Sequence, residues 1–294
     1  MLIADFFKLI GKKLVAGDSI KLHAQNSKKN NFNKGKIKRR LAYIDQKLAE
    51  YRKVLDGSGN DESFSKAALA MHGLKKQARV YRRLAQHFRR SGDKQISTSD
   101  PDSRQMITRN NITEVAYNVQ TRVDAEHKPA VDYLVTNIND FKAMGNMLER
   151  EVEQFGTSGF TALYDKGYYT GTEFKRAEYL EVTVMVAVPE AGSQAPHPDY
   201  NLEAFVYEEI KNRHTCIQGH TLKTNGNWYI KDHGQTKVQV RHFKTNRCKT
   251  CPVLSLCTKN EKGGLIGRSE HGGLTAANKA RIEADPDTYK LRQQ

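Results

Sequence analysis

No stretch of this chain is long and apolar enough to suggest a membrane span. The opening from Met1 to Leu14 comes nearest, but Asp5 and Lys8 interrupt it and Lys12-Lys13 follow. That excludes both a signal h-region and a spanning helix and leads us to expect a cytoplasmic protein. Cysteine is scarce, with four in 294 residues. Three of the four cluster at Cys248, Cys251 and Cys257, which suits a metal site better than a disulfide framework. Acidic residues are also in short supply: 33 Asp and Glu face 48 Lys and Arg, giving a net charge of +15. Such an excess favours a polyanionic partner, because neutralised phosphates release counterions, and nucleic acid leads that class. There is no internal repeat.

What is present supports a folded chain with large solvated surfaces. Hydrophobic residues make up 38%, and the mean hydropathy of -0.71 is polar without reaching the composition of disorder. The length allows one or two domains, and one interrupted domain is the preferred reading. The basic residues concentrate early, at Lys28-Lys29, Lys34 to Arg40, Lys75-Lys76, Arg79, Arg82-Arg83 and Arg89-Arg90. A phosphate backbone fits such a stripe, with Lys28, Lys29, Arg39 and Arg40 as candidate DNA contacts.

Leu14 to Leu22 has an extended pattern that carries Asp18. From Ile37 the period changes: Ile37, Leu41, Ile44, Leu48, Tyr51 and Leu55 form the narrow apolar seam of a helix, broken by the run from Asp56 to Asp61. Ala70, Leu74, Tyr81, Leu84 and Phe88 line a second helix, so the two predict a hairpin with basic outer faces. It could contact DNA or serve as an oligomerisation module, which leaves a homodimer open. Ser91 to Arg104 is loop-like.

Val115, Tyr117, Val119, Thr121 and Val123 alternate with polar residues, predicting a half-buried strand with Val131, Tyr133 and Val135 as its antiparallel partner. A helix with Met144, Met147, Leu148, Val152 and Phe155 on one face closes at Gly156, and the methionines are core packing. A short apolar run, Phe160 to Tyr164, delivers Asp165 at its carboxyl end. Thr172 is the predicted cap of the next helix, and Val182 to Val188 is a further strand. The tail regains helical character around Ala276, Ala280, Ile282 and Tyr289, interrupted near Pro286. The result is a mixed α/β sheet.

Asp18 and Asp165 both end or sit on strands, and neighbouring strands would place their carboxylates side by side. Mg²⁺ ions need hard oxygen ligands on rigid elements, and a pair of such ions stabilises both the attacking and leaving oxygens of a phosphodiester displacement. An Asp ending a strand is also a common turn former. Among the cysteines, Cys248-x-x-Cys251 with Cys257 and the upstream Cys216 supplies four thiolates, enough for a tetrahedral Zn²⁺ site, with His220 or His242 as substitute ligands. Reduced structural cysteines are the alternative. Trp228, with Tyr229 and Lys231, could stack on DNA, although a lone Trp more often packs in a core or a zinc domain.

Several segments taken in order resemble one family. Leu14-Val15-Ala16-Gly17-Asp18-Ser19-Ile20-Lys21 followed by Asn26 to Phe32, Ser99-Asp100-Pro101-Asp102, Tyr117 to Asp124, and Asp165-Lys166-Gly167-Tyr168 are similar to motifs of DDE transposases from bacterial insertion sequences. Gly17-Asp18-Ser19 departs slightly from the form common there. The resemblance covers essentially the whole chain. It implies a ribonuclease-H-like α/β fold with a helical-hairpin insertion and a Cys-rich insertion. It also implies Asp18 and Asp165 as catalytic, Mg²⁺- or Mn²⁺-binding residues, and cut-and-join chemistry on double-stranded DNA at transposon ends and target. Lys166 and Arg292 join the DNA-contacting set through the matched motifs. Under it, residues 1–32 hold the first core strand, 33–98 the helical insertion, 99–190 the core, 191–273 the Cys-rich insertion and 274–294 the start of the last core helix.

The family places a tyrosine, an arginine and a glutamate on that last helix. Tyr289 and Arg292 match before the sequence stops at Gln294, so the resemblance implies a chain cut short of its third carboxylate, inactive in strand transfer. Glu270 and Glu283, upstream of the tyrosine, are expected to be surface residues. The competing expectation is a non-catalytic, zinc-stabilised DNA-binding protein.

Overall fold

The computed structural model describes residues 6–25, 27–57, 61–108, 112–190, 195–232 and 237–293. Asn26 of the motif after Asp18, the helix breaker Ser58-Gly59-Asn60 and Gly192 at the start of the Cys-rich segment lie outside them. In chain order the main elements are β1 (Leu14–His23), β2 (Asn31–Asn33), α1 (Lys34–Gly57), α2 (Asp61–Ser91), β3 (Gln95–Ser97), β4 (Arg104–Ile107), β5 (Thr113–Asp124) and β6 (Ala130–Thr136). There follow α3 (Met144–Phe155), β7 (Thr161–Tyr164), α4 (Gly171–Tyr179) and β8 (Thr183–Val186). The principal sheet is mixed, in the order β4-β5-β1-β7-β8, with β6 on β5. β1, β7 and β8 run parallel, and β4 is antiparallel to β5. The fold class is therefore mixed α/β, as the alternation of periods predicts. Among the described residues no helix is long and apolar enough to cross a membrane.

The chain divides into two compact units, one of residues 1–18, 121–133 and 140–294, the other of 19–120 and 134–139. In the first, α3 and α4 cover parallel strands through Met144, Leu148, Phe174 and Ala177 against Val15, Ala162, Val184 and Val186. The buried Met144 and Met147 are core residues, as expected. The predicted side-chain cap of α4 is not formed. Thr170, not Thr172, stands at its N-cap and turns its hydroxyl to the Phe141 carbonyl (2.9 Å). At the start of α3 the buried Glu173 of α4 accepts from the Gly145 N–H (2.6 Å), satisfying a helix-end donor from another element. Burial pushes the Glu173 carboxyl up, and that N–H works against the shift.

β5 inverts the ordinary logic of an alternating strand. From Tyr117 onward its polar residues Asn118, Gln120, Arg122 and Asp124 are the buried ones, whereas Val119 and Val123 are only half-buried. Three of these buried polar groups have a clear reason to be inside. Asn118 donates to the Ile138 carbonyl (2.8 Å), Arg122 pairs with Glu151 of α3, and Asp124 accepts from the backbone of Lys12 (3.1 Å) and Glu126 (3.0 Å). Pairing offsets part of the cost of this burial, although Nε and Nη2 of Arg122 and one Glu151 oxygen have no hydrogen-bond partner among the described residues.

In the second unit α1 and α2 pack as the predicted antiparallel pair, burying Ile37, Ile44, Ala67, Met71, Ala78 and Phe88. Ser91 to Arg104 is not all loop, because Gln95–Ser97 forms β3 and pairs with β2. Ile20 and Leu22 at the end of β1 stay about half exposed.

Beyond β8 the chain builds two small sheets. One is β9 (Val206–Glu208), β10 (Arg213–Thr215) and β11 (Thr221–Leu222); the other is β12 (Trp228–Asp232), β13 (Lys237–Phe243) and β14 (Ile266–Ser269). The single turn α5 (Leu254–Cys257) precedes β14. The tail forms α6 (Gly272–Ala284) and α7 (Pro286–Lys290), broken where Pro286 predicts. The wholly buried Asn278 fastens α6 to the exposed edge of β8, exchanging two 2.8 Å hydrogen bonds with the Val186 backbone. That pairing caps the edge strand, whose free backbone groups would otherwise lie unpaired.

Candidate active site

Asp18, midway along β1, and Asp165, just past the end of β7, belong to neighbouring strands. Leu14, Val15 and Ala16 of β1 face Thr161, Ala162 and Leu163 of β7 in parallel register. Two residues further on, that register sets Asp18 opposite Asp165, where β7 has just ended. The approach is made close by Gly17, whose added Cβ would lie 2.1 Å from a ring carbon of Tyr164. Tyr164 is fully buried and cannot yield, so β1 needs glycine immediately before its aspartate. Burial pushes the Tyr164 hydroxyl up to about 12, with the Arg122 guanidinium acting against it.

The Asp165 side chain also forms the turn that a strand-ending Asp favours, with Oδ1 accepting from the Gly167 N–H (2.8 Å). Turn former and candidate ligand are thus compatible roles for one carboxylate. Gly167 is crowded from two sides: an added Cβ would lie 3.0 Å from Asp165 Oδ1 and 3.5 Å from Asp140 Oδ2. Asp140 is therefore a second acid beside Asp165, and sequence reasoning missed it, since its only signal is an acid in a loop ahead of α3.

Tyr289 and Arg292 reach the same place from the tail. The Tyr289 hydroxyl donates to the Tyr164 carbonyl (3.0 Å), one residue before Asp165. Burial raises its pKa, the Arg292 guanidinium opposes the shift, and the Asp165 charge adds to it. Lys166 is exposed beside Asp165. Glu270 and Glu283 are both exposed, as expected of surface residues.

Lys28, Lys29, Arg39 and Arg40 belong to the second unit and are all exposed. Lys36 ties them into one cluster. Its ammonium donates to the carbonyls of Lys28 (2.9 Å), Lys29 (2.8 Å) and Asn31 (2.7 Å). Burial lowers the Lys36 pKa, and the neighbouring Arg40 and Arg39 lower it further. The two motif segments holding Asp100 and Tyr117 also meet in this unit. The Tyr117 hydroxyl donates to Asp100 Oδ1 (2.6 Å), which carries its pKa up to about 12.

Cys216, Cys248, Cys251 and Cys257 line one small cavity of about 30 Å³, together with His220. The thiol of Cys257 is pushed up by burial and then by Cys248, Cys216 and Cys251, so these three are its neighbours. Among the described residues, however, no three His, Cys, Asp or Glu side chains stand at metal-holding geometry. The thiols share a cavity without being a preset tetrahedron. His242 does not line it and instead stacks on Tyr229 at 4.8 Å, which removes it as a substitute ligand. Trp228 is 43% exposed with the Arg241 guanidinium 4.2 Å from its ring centre, so the expectation of core or zinc-domain packing is corrected. A cation covers part of one face and solvent the rest.

No family model matches the chain, and neither the curated proteins nor the solved structures contain a significant match to it.

Proposed function

We propose that the chain carries the first two carboxylates of the catalytic site of a DDE-type transposase, a metal-dependent enzyme that cleaves DNA and joins the freed 3′ end to target DNA, on a ribonuclease-H-like core. The observation that supports this most directly is the register of two adjacent parallel strands, which sets Asp18 within β1 level with Asp165 just past the end of β7. Their oxygens suit Mg²⁺ or Mn²⁺, which when bound stabilises charge on the attacking and leaving oxygens of a phosphodiester. The chain's own residues do the rest. Gly17 lets the strands approach, the Gly167 N–H fixes one oxygen of Asp165, and Lys166 and Arg292 offer cations to phosphate beside it.

Calorimetric titration with Mn²⁺ tests the reading. We expect binding by the intact chain, weakened at least about tenfold by Asp18→Asn and by Asp165→Asn, with unfolding transitions unchanged. Equal affinity in all three proteins would sink the proposal.

A second reading, a zinc-stabilised DNA-binding protein without catalysis, is favoured by the shared cavity of the four cysteines. It predicts one zinc per chain by elemental analysis and a lower melting temperature after chelation. Cys251→Ser should lose the metal and show the same lower melting temperature. Zinc-free protein of undiminished stability would leave these as plain reduced thiols.

A further inference from the structure

A cleft of about 1230 Å³ opens within the first unit, lined by residues of α4, α6 and the two small sheets. It plays no part in the carboxylate site. Its described lining holds Lys231, Lys259, Arg268 and Lys279 and no Asp or Glu. Lys279 is engaged by Glu203 just outside the lining, at 2.7 Å. Lys231, Lys259 and Arg268 have no ion-pair partner among the described residues. The cleft is therefore cationic in effect as well as in composition.

It is also aromatic. The Arg268 guanidinium lies 3.7 Å from the ring centre of Tyr207, which is held in turn by contact with His214 (4.9 Å) and, edge-on, with Phe243 (6.1 Å). Tyr200 lines the same space. A planar cation layered on a braced ring, with lysines nearby, matches the stacking platform and charged groove that take unpaired bases and their phosphates. The volume exceeds the roughly 300–1,000 Å³ of small-ligand pockets, so several linked nucleotides fit better than one free nucleotide. A duplex keeps its base faces inside the stack, and only an unpaired strand can offer them to Tyr207 and Arg268.

We propose that this cleft binds a segment of single-stranded DNA, with a base stacked at Tyr207–Arg268 and phosphates on Lys231 and Lys259. The assignment rests on the reading that the chain handles DNA, and it adds to that reading a site for an unpaired strand.

Fluorescence anisotropy on the full chain tests it, with a short labelled oligothymidylate and, separately, a labelled duplex. Lys231→Glu with Lys259→Glu alters two exposed positions that carry no packing, and Arg268→Ala removes the stacked cation. We expect each variant to weaken oligothymidylate binding about tenfold or more while duplex binding holds within about twofold. Equal losses on both DNAs, or none on the single strand, would overturn the proposal. So would intact protein that binds duplex but not single strand, an outcome that leaves the DNA-handling reading standing. Binding of neither DNA would remove both. Competition by thymidine monophosphate as effective as by the oligomer would overturn the strand in favour of a free nucleotide.

Discussion

Replacing Lys28, Lys29, Arg39 and Arg40 together by alanine is expected to weaken duplex DNA binding about a thousandfold at 0.1 M salt. Each neutralised phosphate contributes roughly 0.9 to the slope of log affinity against log salt, so removing four phosphate-binding cations should flatten that slope by about 3.6. The cluster justifies treating the four as one surface. Lys36 bonds the carbonyls of Lys28 and Lys29 while lying near enough to Arg39 and Arg40 for their charge to lower its pKa. All four are exposed, so truncation should cost little stability. Anisotropy titrations across a salt series check this. A slope that changes by less than about one would mean that these cations face solvent and not phosphate.

The parts of this molecule that are legible in the sequence are those whose signal is local and periodic. The seams Ile37 to Leu55 and Ala70 to Phe88 announce α1 and α2, and the methionine-bearing face of α3 announces a core helix. What stays hidden depends on partners far along the chain. β3 has three residues and exists only because Asn31–Asn33 pairs with it. The start of α3 has no local signal because Glu173, distant in sequence, does the work a nearby Ser or Thr usually does. At the site, the aspartates can be named from their motifs, but their opposition requires the β1–β7 register, which no local pattern encodes. Asp140 stays hidden for the same reason. The four cysteines are legible as a group from the Cys-x-x-Cys pair, whereas the cleft is not, since its walls come from segments scattered between Tyr169 and Lys279.

The strand in which pattern and burial disagree, β5, yields the sharpest stability test. Arg122 and Glu151 are wholly buried and paired with each other, and the other Glu151 oxygen has no hydrogen-bond partner among the described residues. Burial lowers the Arg122 pKa, while Tyr164, Asp132 and Tyr168 act to keep its charge. Arg122→Ala strands the Glu151 carboxylate in the core and should cost about 3–5 kcal/mol, readable as a shift in the urea midpoint with unchanged slope. It also removes the guanidinium 5.6 Å from the ring centre of Tyr164, the same ring that presses on Gly17. The loss should therefore reach Asp18 beside Gly17 in β1, and Mn²⁺ affinity should fall along with stability. Arg122→Met combined with Glu151→Leu removes both charges and keeps the volume, so its stability should return to within about 1–2 kcal/mol of the parent. A single Arg122→Ala loss below about 1 kcal/mol would mean that Glu151 escapes to solvent or binds a proton. In that case the polar face of β5 would contribute little to holding the candidate site in place.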